Sequence, residues 1–123
     1  MQNSSIKKQT ALYIYDFFSV LMVPKYLLRF GWNCITAVYK ENFLEIAAEL
    51  QPDIIFLSQF SDSELEFCRQ LKNNEKTKNI RLIVITNGAE NISMAIEAGA
   101  DGHLNAPVFI PDLKEIIQPE SLS

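Results

Sequence analysis

Short apolar runs with little or no polar alternation recur along this chain, and they restrict its fold more than any other feature. Ala11 to Tyr15 (A-L-Y-I-Y) carries apolar side chains at consecutive positions, and so does Asp53 to Leu57 (D-I-I-F-L) after its opening aspartate. A strand with one wet face alternates, whereas a strand covered on both faces does not. Cys34 to Val38 and Ile80 to Ile85 read as two more strands, and Gly102 to Asn105 as a short fifth.

Helical signals fill the gaps. Tyr26, Leu27 and Phe30 share one side of a stretch from about Pro24 to Phe30, with Gly31 as its stop. Pro24 suits the first helical turn, where a missing N–H breaks no bond. Asn42 followed by Glu45 is a helix start, and Phe43, Ile46, Ala47 and Leu50 then form one apolar stripe that Pro52 closes. Ser61-Asp62-Ser63-Glu64 is a capping-box sequence for a helix to about Asn73, with Leu65, Cys68 and Leu71 inward. Glu90 to Ala98, ended by Gly99, and Pro111 to Ile117 supply the last two helices. This alternation predicts an α/β, flavodoxin-like, doubly wound five-stranded parallel sheet of order 2-1-3-4-5 with five helices. Its crevice lies where the winding reverses, at the carboxyl ends of the first and third strands, Asp16 and Ser58.

A chain of 123 residues fits one domain, expected over residues 10–118, with a loosely ordered tail at 1–9 and a short tail at 119–123. Net charge of −4 argues against a nucleic-acid partner. The tighter basic groups, Lys7-Lys8 and Lys72 to Lys78, read as solvated helix ends. No apolar run approaches the ~20 residues that span a bilayer; Phe17 to Val23 is short and broken by Ser19, and no signal-peptide layout opens the chain. The expectation is a cytoplasmic protein with no membrane partner. Cys34 and Cys68 have neither metal nor disulfide spacing and read as buried free thiols.

Three stretches carry a resemblance: Pro52 to Ser58, Ile83-Val84-Ile85-Thr86, and Ala98-Gly99-Ala100-Asp101-Gly102-His103-Leu104-Asn105-Ala106-Pro107. They resemble the receiver (CheY-like) domain of bacterial response regulators, and the likeness covers about residues 10–118. In that family an acidic pair after the first strand and an aspartate ending the third hold magnesium. The aspartate accepts the phosphoryl group, and a hydroxyl and a Lys-Pro lysine engage it. By resemblance, Asp16 stands at the first acid and Phe17 at the second. Ser58 stands at the acceptor, Thr86 at the switch hydroxyl, His103 at the switch aromatic and Ala106 at the lysine. The loops after Asp16 and after Ser58 are also shorter than the family's.

One carboxylate thus remains of the magnesium set. Because Mg²⁺ demands hard, preferably anionic oxygens, its binding is expected to be weak or absent, and no cofactor is expected. Asp62 caps a helix and Asp53 starts a strand, so neither replaces the lost acids. Ser58 would need a neighbouring base to act as nucleophile. The sole histidine, His103, lies on another strand and reads as a half-buried side chain. No catalytic residue and no metal ligand is therefore expected. Thr86 is expected to bond to Ser58, Asp16 or water. Tyr13, Tyr15, Phe17 and Phe18 fit core and crevice filling, and Trp32 reads as a partner anchor or a cap contact.

The leading functional reading is a stand-alone atypical response regulator, a pseudo-receiver, in two-component signal transduction. It would act by phosphorylation-independent protein–protein interaction, not as an enzyme. By resemblance its partner surface is the fourth helix, fifth strand and fifth helix, about residues 90–118. The alternatives are a conventional phosphorelay receiver with an altered site and, more remotely, a small flavodoxin-like ligand-binding protein.

Overall fold

A computed structural model describes residues 8–15, 22–39, 42–58 and 60–118. Five strands, β1 (Thr10–Tyr15), β2 (Asn33–Val38), β3 (Ile54–Leu57), β4 (Arg81–Thr86) and β5 (Gly102–Asn105), alternate with five helices. These are α1 (Met22–Arg29), α2 (Phe43–Leu50), α3 (Leu65–Asn73), α4 (Ala89–Glu97) and α5 (Ile110–Ile116). All described pairings are parallel and the strand order is β2-β1-β3-β4-β5, as the alternation predicts.

The apolar runs lack alternation because both faces of the sheet are buried. Leu12, Ile14, Ile55, Leu57, Leu82 and Val84 point to one face, where Phe43, Ala47, Cys68, Leu71 and Ala95 of α2, α3 and α4 cover them. Ala11, Tyr13, Ile54, Phe56, Ile83 and Ile85 point to the other, under Val23 and Leu27 of α1 and Leu113 of α5. Successive residues therefore serve opposite cores, and each must be apolar.

Helix ends follow their sequence signals with some corrections. Gly31, at φ 90°, ends α1 with two bonds, Gly31 N–H to Leu28 O at 3.1 Å and Trp32 N–H to Leu27 O at 3.0 Å. Such paired closure favours glycine because a side chain rarely adopts that φ. Trp32 itself is buried in the α1/α5 core with Val23 and Leu27, so of its two readings the cap contact holds and the partner anchor does not. Asn42 precedes α2 but makes no side-chain cap bond, so that half of the start signal fails. At Ser61 the signal holds: the Glu64 carboxylate accepts the Ser61 N–H at 2.9 Å and its hydroxyl at 2.7 Å. Asp62–Glu64 forms a 3₁₀ turn before α3, which places that helix's regular start slightly later than expected.

Two basic and terminal expectations change. Lys72 is not a solvated helix end: its ammonium donates to Asp101 Oδ2 at 2.9 Å and to Ile80 O at 3.2 Å. The same Asp101 oxygen accepts the Leu82 N–H at 2.8 Å, so one carboxylate joins α3, β4 and the approach to β5. Gln9 is not loose, since its carbonyl accepts the Asn33 N–H at 2.8 Å and extends the β1–β2 ladder. Residues 1–7 and 119–123, the rest of the two expected tails, lie outside the described residues.

Candidate functional site

A crevice of about 620 Å³ opens at the carboxyl ends of the strands. Parallel strands all present those ends on one side of the molecule, so residues far apart in sequence meet there. Ser58, Thr86 and Ala106 all line it. Asp16 and Phe17, the other two expected site positions, lie outside the described residues, as does Phe18.

Ser58 is buried and held through its main chain. Its N–H donates to Ile14 O at 2.8 Å, continuing the β1–β3 ladder, and its carbonyl accepts the Tyr39 hydroxyl at 2.8 Å. Tyr39 is in turn packed against Phe67 of α3 at a ring separation of 5.0 Å, and Phe67 meets Phe43 of α2 edge-on at 4.7 Å. The end of β3 is thereby tied to an aromatic cluster built by α2, α3 and the residue that follows β2.

Thr86 departs from expectation. Its buried hydroxyl donates to Phe60 O at 2.8 Å, not to Ser58, while the Phe60 N–H donates to Ile85 O at 2.8 Å. These two bonds staple the segment after β3 to the end of β4. Ala106 is exposed, its N–H donates to Thr86 O at 3.0 Å, and a cis peptide joins it to Pro107.

His103 departs as well. It stands on β5 as predicted, but its side chain is exposed rather than half-buried. Alternate residues of this edge strand explain the difference: Leu104 points into the α1/α5 core while His103 and Asn105 point away. His103 is not among the residues lining the crevice.

The described lining is neutral. Tyr13, Val23, Phe60 and Ile85 form an apolar wall, and Ser58, Ser61, Thr86, Asn87 and Asn91 supply hydroxyl and amide groups. No described lining residue carries a carboxylate, ammonium or guanidinium. Among the described residues, no cluster of three His, Cys, Asp or Glu is placed to hold an ion. Both cysteines are free thiols away from this lining. Burial pushes each up to about 11, far from a reactive thiolate.

Solved structures share this architecture. The chemotaxis response regulator CheY4 of Vibrio cholerae superimposes with a TM-score of 0.78 at 21% identity, covering 91% of this chain and 98% of that one. The chain has the response-regulator receiver fold. A receiver domain (CheY-like) from Methylobacillus flagellatus gives a TM-score of 0.76 at 22% identity, with 91% and 98% coverage. In sequence, the chain is 29% identical over 90 residues to the phosphate regulon transcriptional regulatory protein PhoB of Pseudomonas aeruginosa. That match takes in 70% of this chain and 39% of the PhoB chain, so the likeness is confined to part of the relative's length. No family model matches.

Sequence reasoning found the three crevice positions and missed Tyr39 and Phe60, which fix two of them. Their contribution runs through main-chain carbonyls, and no residue-type motif marks a carbonyl acceptor.

Proposed function

We propose that this receiver-fold chain is a pseudo-receiver, a signalling module that works by binding a protein partner and whose output does not depend on phosphorylation at position 58. The observation that supports this most is that Ser58 and Ala106 line the crevice at the positions where the receiver family carries its acceptor aspartate and its lysine. A phosphoryl group carries close to two negative charges and calls for cations to meet them. The described lining offers none, and its hydroxyls and amides do not fit Mg²⁺, which is held chiefly by carboxylates and water. Thr86 has its proton directed to Phe60, so a phosphoryl oxygen would have to compete for it.

The partner surface on this reading is α4, β5 and α5, about residues 90–118. It includes two large apolar side chains open to water, Ile96 at 57% and Phe109 at 64% exposure. Exposed apolar groups of this size are candidate anchors for a protein contact. No described helix is long and apolar enough to cross a membrane, and we place the module in the cytoplasm on its likeness to response regulators. Because the likeness to PhoB is confined to part of that protein, DNA binding is not carried over. No catalytic role is proposed for any residue.

The test is partner affinity measured with and without a phosphodonor, using a partner captured by the intact chain. Affinity should be unchanged by the phosphodonor and by Ser58→Ala, and should fall on Ile96→Glu or Phe109→Glu. A change above tenfold, about 1.4 kcal/mol, on adding the phosphodonor or on Ser58→Ala would contradict the reading.

A further inference from the structure

One long edge of the sheet is open and carries none of the features that guard an edge. β2 ends the strand order, and among the described residues no strand pairs with its outer side. The Asn33 N–H donates to Gln9 O and the Tyr39 N–H to Tyr15 O, so the odd-numbered residues turn their main-chain groups toward β1. By the alternation of a parallel ladder, Cys34 and Thr36 turn theirs outward. Exposed edges are commonly protected by a charge, a proline or a bulge. Residues 33–38, N-C-I-T-A-V, contain no charge and no proline, and they pair with β1 residue for residue without a bulge.

Apolar side chains flank this edge on both faces of the sheet. Cys34 packs against the α1/α5 core and Ala37 lies in the opposite one, so Ile35 projects on the α2 side, where it is 44% exposed. On the other face, Phe30, just after α1, is turned toward α5, whose Lys114 ammonium lies 5.7 Å from its ring. Leu28, two residues earlier and about half a turn around the helix, faces away from α5 toward β2 and is 59% exposed. Large apolar groups left in water beside unpaired main chain gain when a matching surface covers them.

We propose that this chain forms a two-fold dimer through β2, joining two sheets edge to edge into one. The surface is the edge opposite β5, apart from the crevice, so the proposal does not rest on the reading above. A two-fold axis makes an edge meet itself antiparallel, which brings charged residues near their own like; the uncharged β2 meets no such penalty. Directly opposite residues then alternate between hydrogen-bonded and closer, non-bonded pairs. With Cys34 opposite Thr36 of the other copy, both outward-facing residues gain bonds. Ile35 then falls opposite Ile35 on the axis, at a Cα separation of about 4.5 Å. The area suffices as well. Six residues span roughly 20 Å, and a sheet with a helix layer on each face is roughly 30 Å thick, so roughly 600 Å² per copy is covered. Both copies together reach about 1,200 Å², the low end of stable interfaces.

Sedimentation equilibrium of the full chain between about 1 µM and 1 mM should show monomer passing to dimer with a Kd of about 10–100 µM. Ile35→Lys sets like charges on the axis and should weaken the dimer at least about tenfold. Thr36→Pro removes an outward N–H and leaves the bonds to β1 in place, so it should do the same. Cross-linking reads the contact without weakening it. In a Cys34→Ala, Cys68→Ala chain, Ile35→Cys should give a disulfide-linked dimer on mild oxidation, since its Cα separation lies within disulfide reach, and Thr36→Cys should not. A monomer at about 1 mM would overturn the proposal. So would a dimer that Ile35→Lys and Thr36→Pro leave unweakened while Ile96→Glu or Phe109→Glu dissolves it, or cross-linking through position 36 in preference to position 35.

Discussion

Thr86 sits at the hinge between chemistry and architecture. Its hydroxyl completes a buried acceptor, the Phe60 carbonyl, which a hydrocarbon side chain would leave unpaired. Thr86→Val keeps the shape and removes the donor, so it should cost about 1–3 kcal/mol. Chemical denaturation would read this as a lower midpoint at unchanged slope, and an unshifted midpoint would show that the staple contributes nothing. The two thiols make a second residue-scale prediction. Burial raises Cys34 and Cys68 from 9.0 to about 11, so the unfolded chain loses these protons before the folded one. Their contribution to stability is complete below pH 9 and is lost as pH climbs to about 11. The fall in stability over that window should be steeper in the parent chain than in a Cys34→Ala, Cys68→Ala variant. Equal slopes would contradict the assignment. Magnesium belongs at this scale too. Titration with Mg²⁺ should give no saturable shift at Ser58 below about 1 mM, and a localised, saturable one would restore a metal site.

At the scale of elements, connections decide where side chains arrive. Asp101 gathers Lys72, the Leu82 N–H and the entry to β5, and Gly99 just before it takes φ 106°. A Cβ at position 99 would lie 3.0 Å from Lys72 Cγ, so Gly99→Ala meets both a disfavoured backbone and a crowded neighbour. It should cost roughly 1–3 kcal/mol. Loss of that size should appear as lower thermal stability with the crevice amides little moved; a neutral result would mean that α3 yields easily. The capping segment at Ser61 and the glycine stops were legible beforehand because each is a local rule obeyed by a few adjacent residues. The side of His103 was not. On a short edge strand, one covered face suffices, and only the packing of Leu104 against the α1/α5 core fixes which residue turns outward.

For the molecule as a whole, the topology was legible because both-face burial leaves its mark as uninterrupted apolar runs, and β1, β3 and β4 carry that mark most plainly. The crevice was legible in part. Strand ends placed Asp16 and Ser58 at the crevice and the resemblance added Thr86 and Ala106, but the bonds from Tyr39 and Thr86 to carbonyl oxygens depend on long-range packing that no local pattern encodes. These fixed contacts bear on rescue. Ser58→Asp places one carboxylate in a lining whose Ala106 supplies no ammonium, so that variant should remain unphosphorylated by acetyl phosphate with Mg²⁺. A stoichiometric adduct on it would show that the crevice needs less than a full set of charged groups.

The most direct test of the central claim is the intact mass of the parent chain after incubation with acetyl phosphate and Mg²⁺, with a phosphorylatable receiver domain treated alongside. The account predicts an unchanged mass here and one added phosphoryl group on the control. A stoichiometric phosphoryl gain on this chain would contradict it.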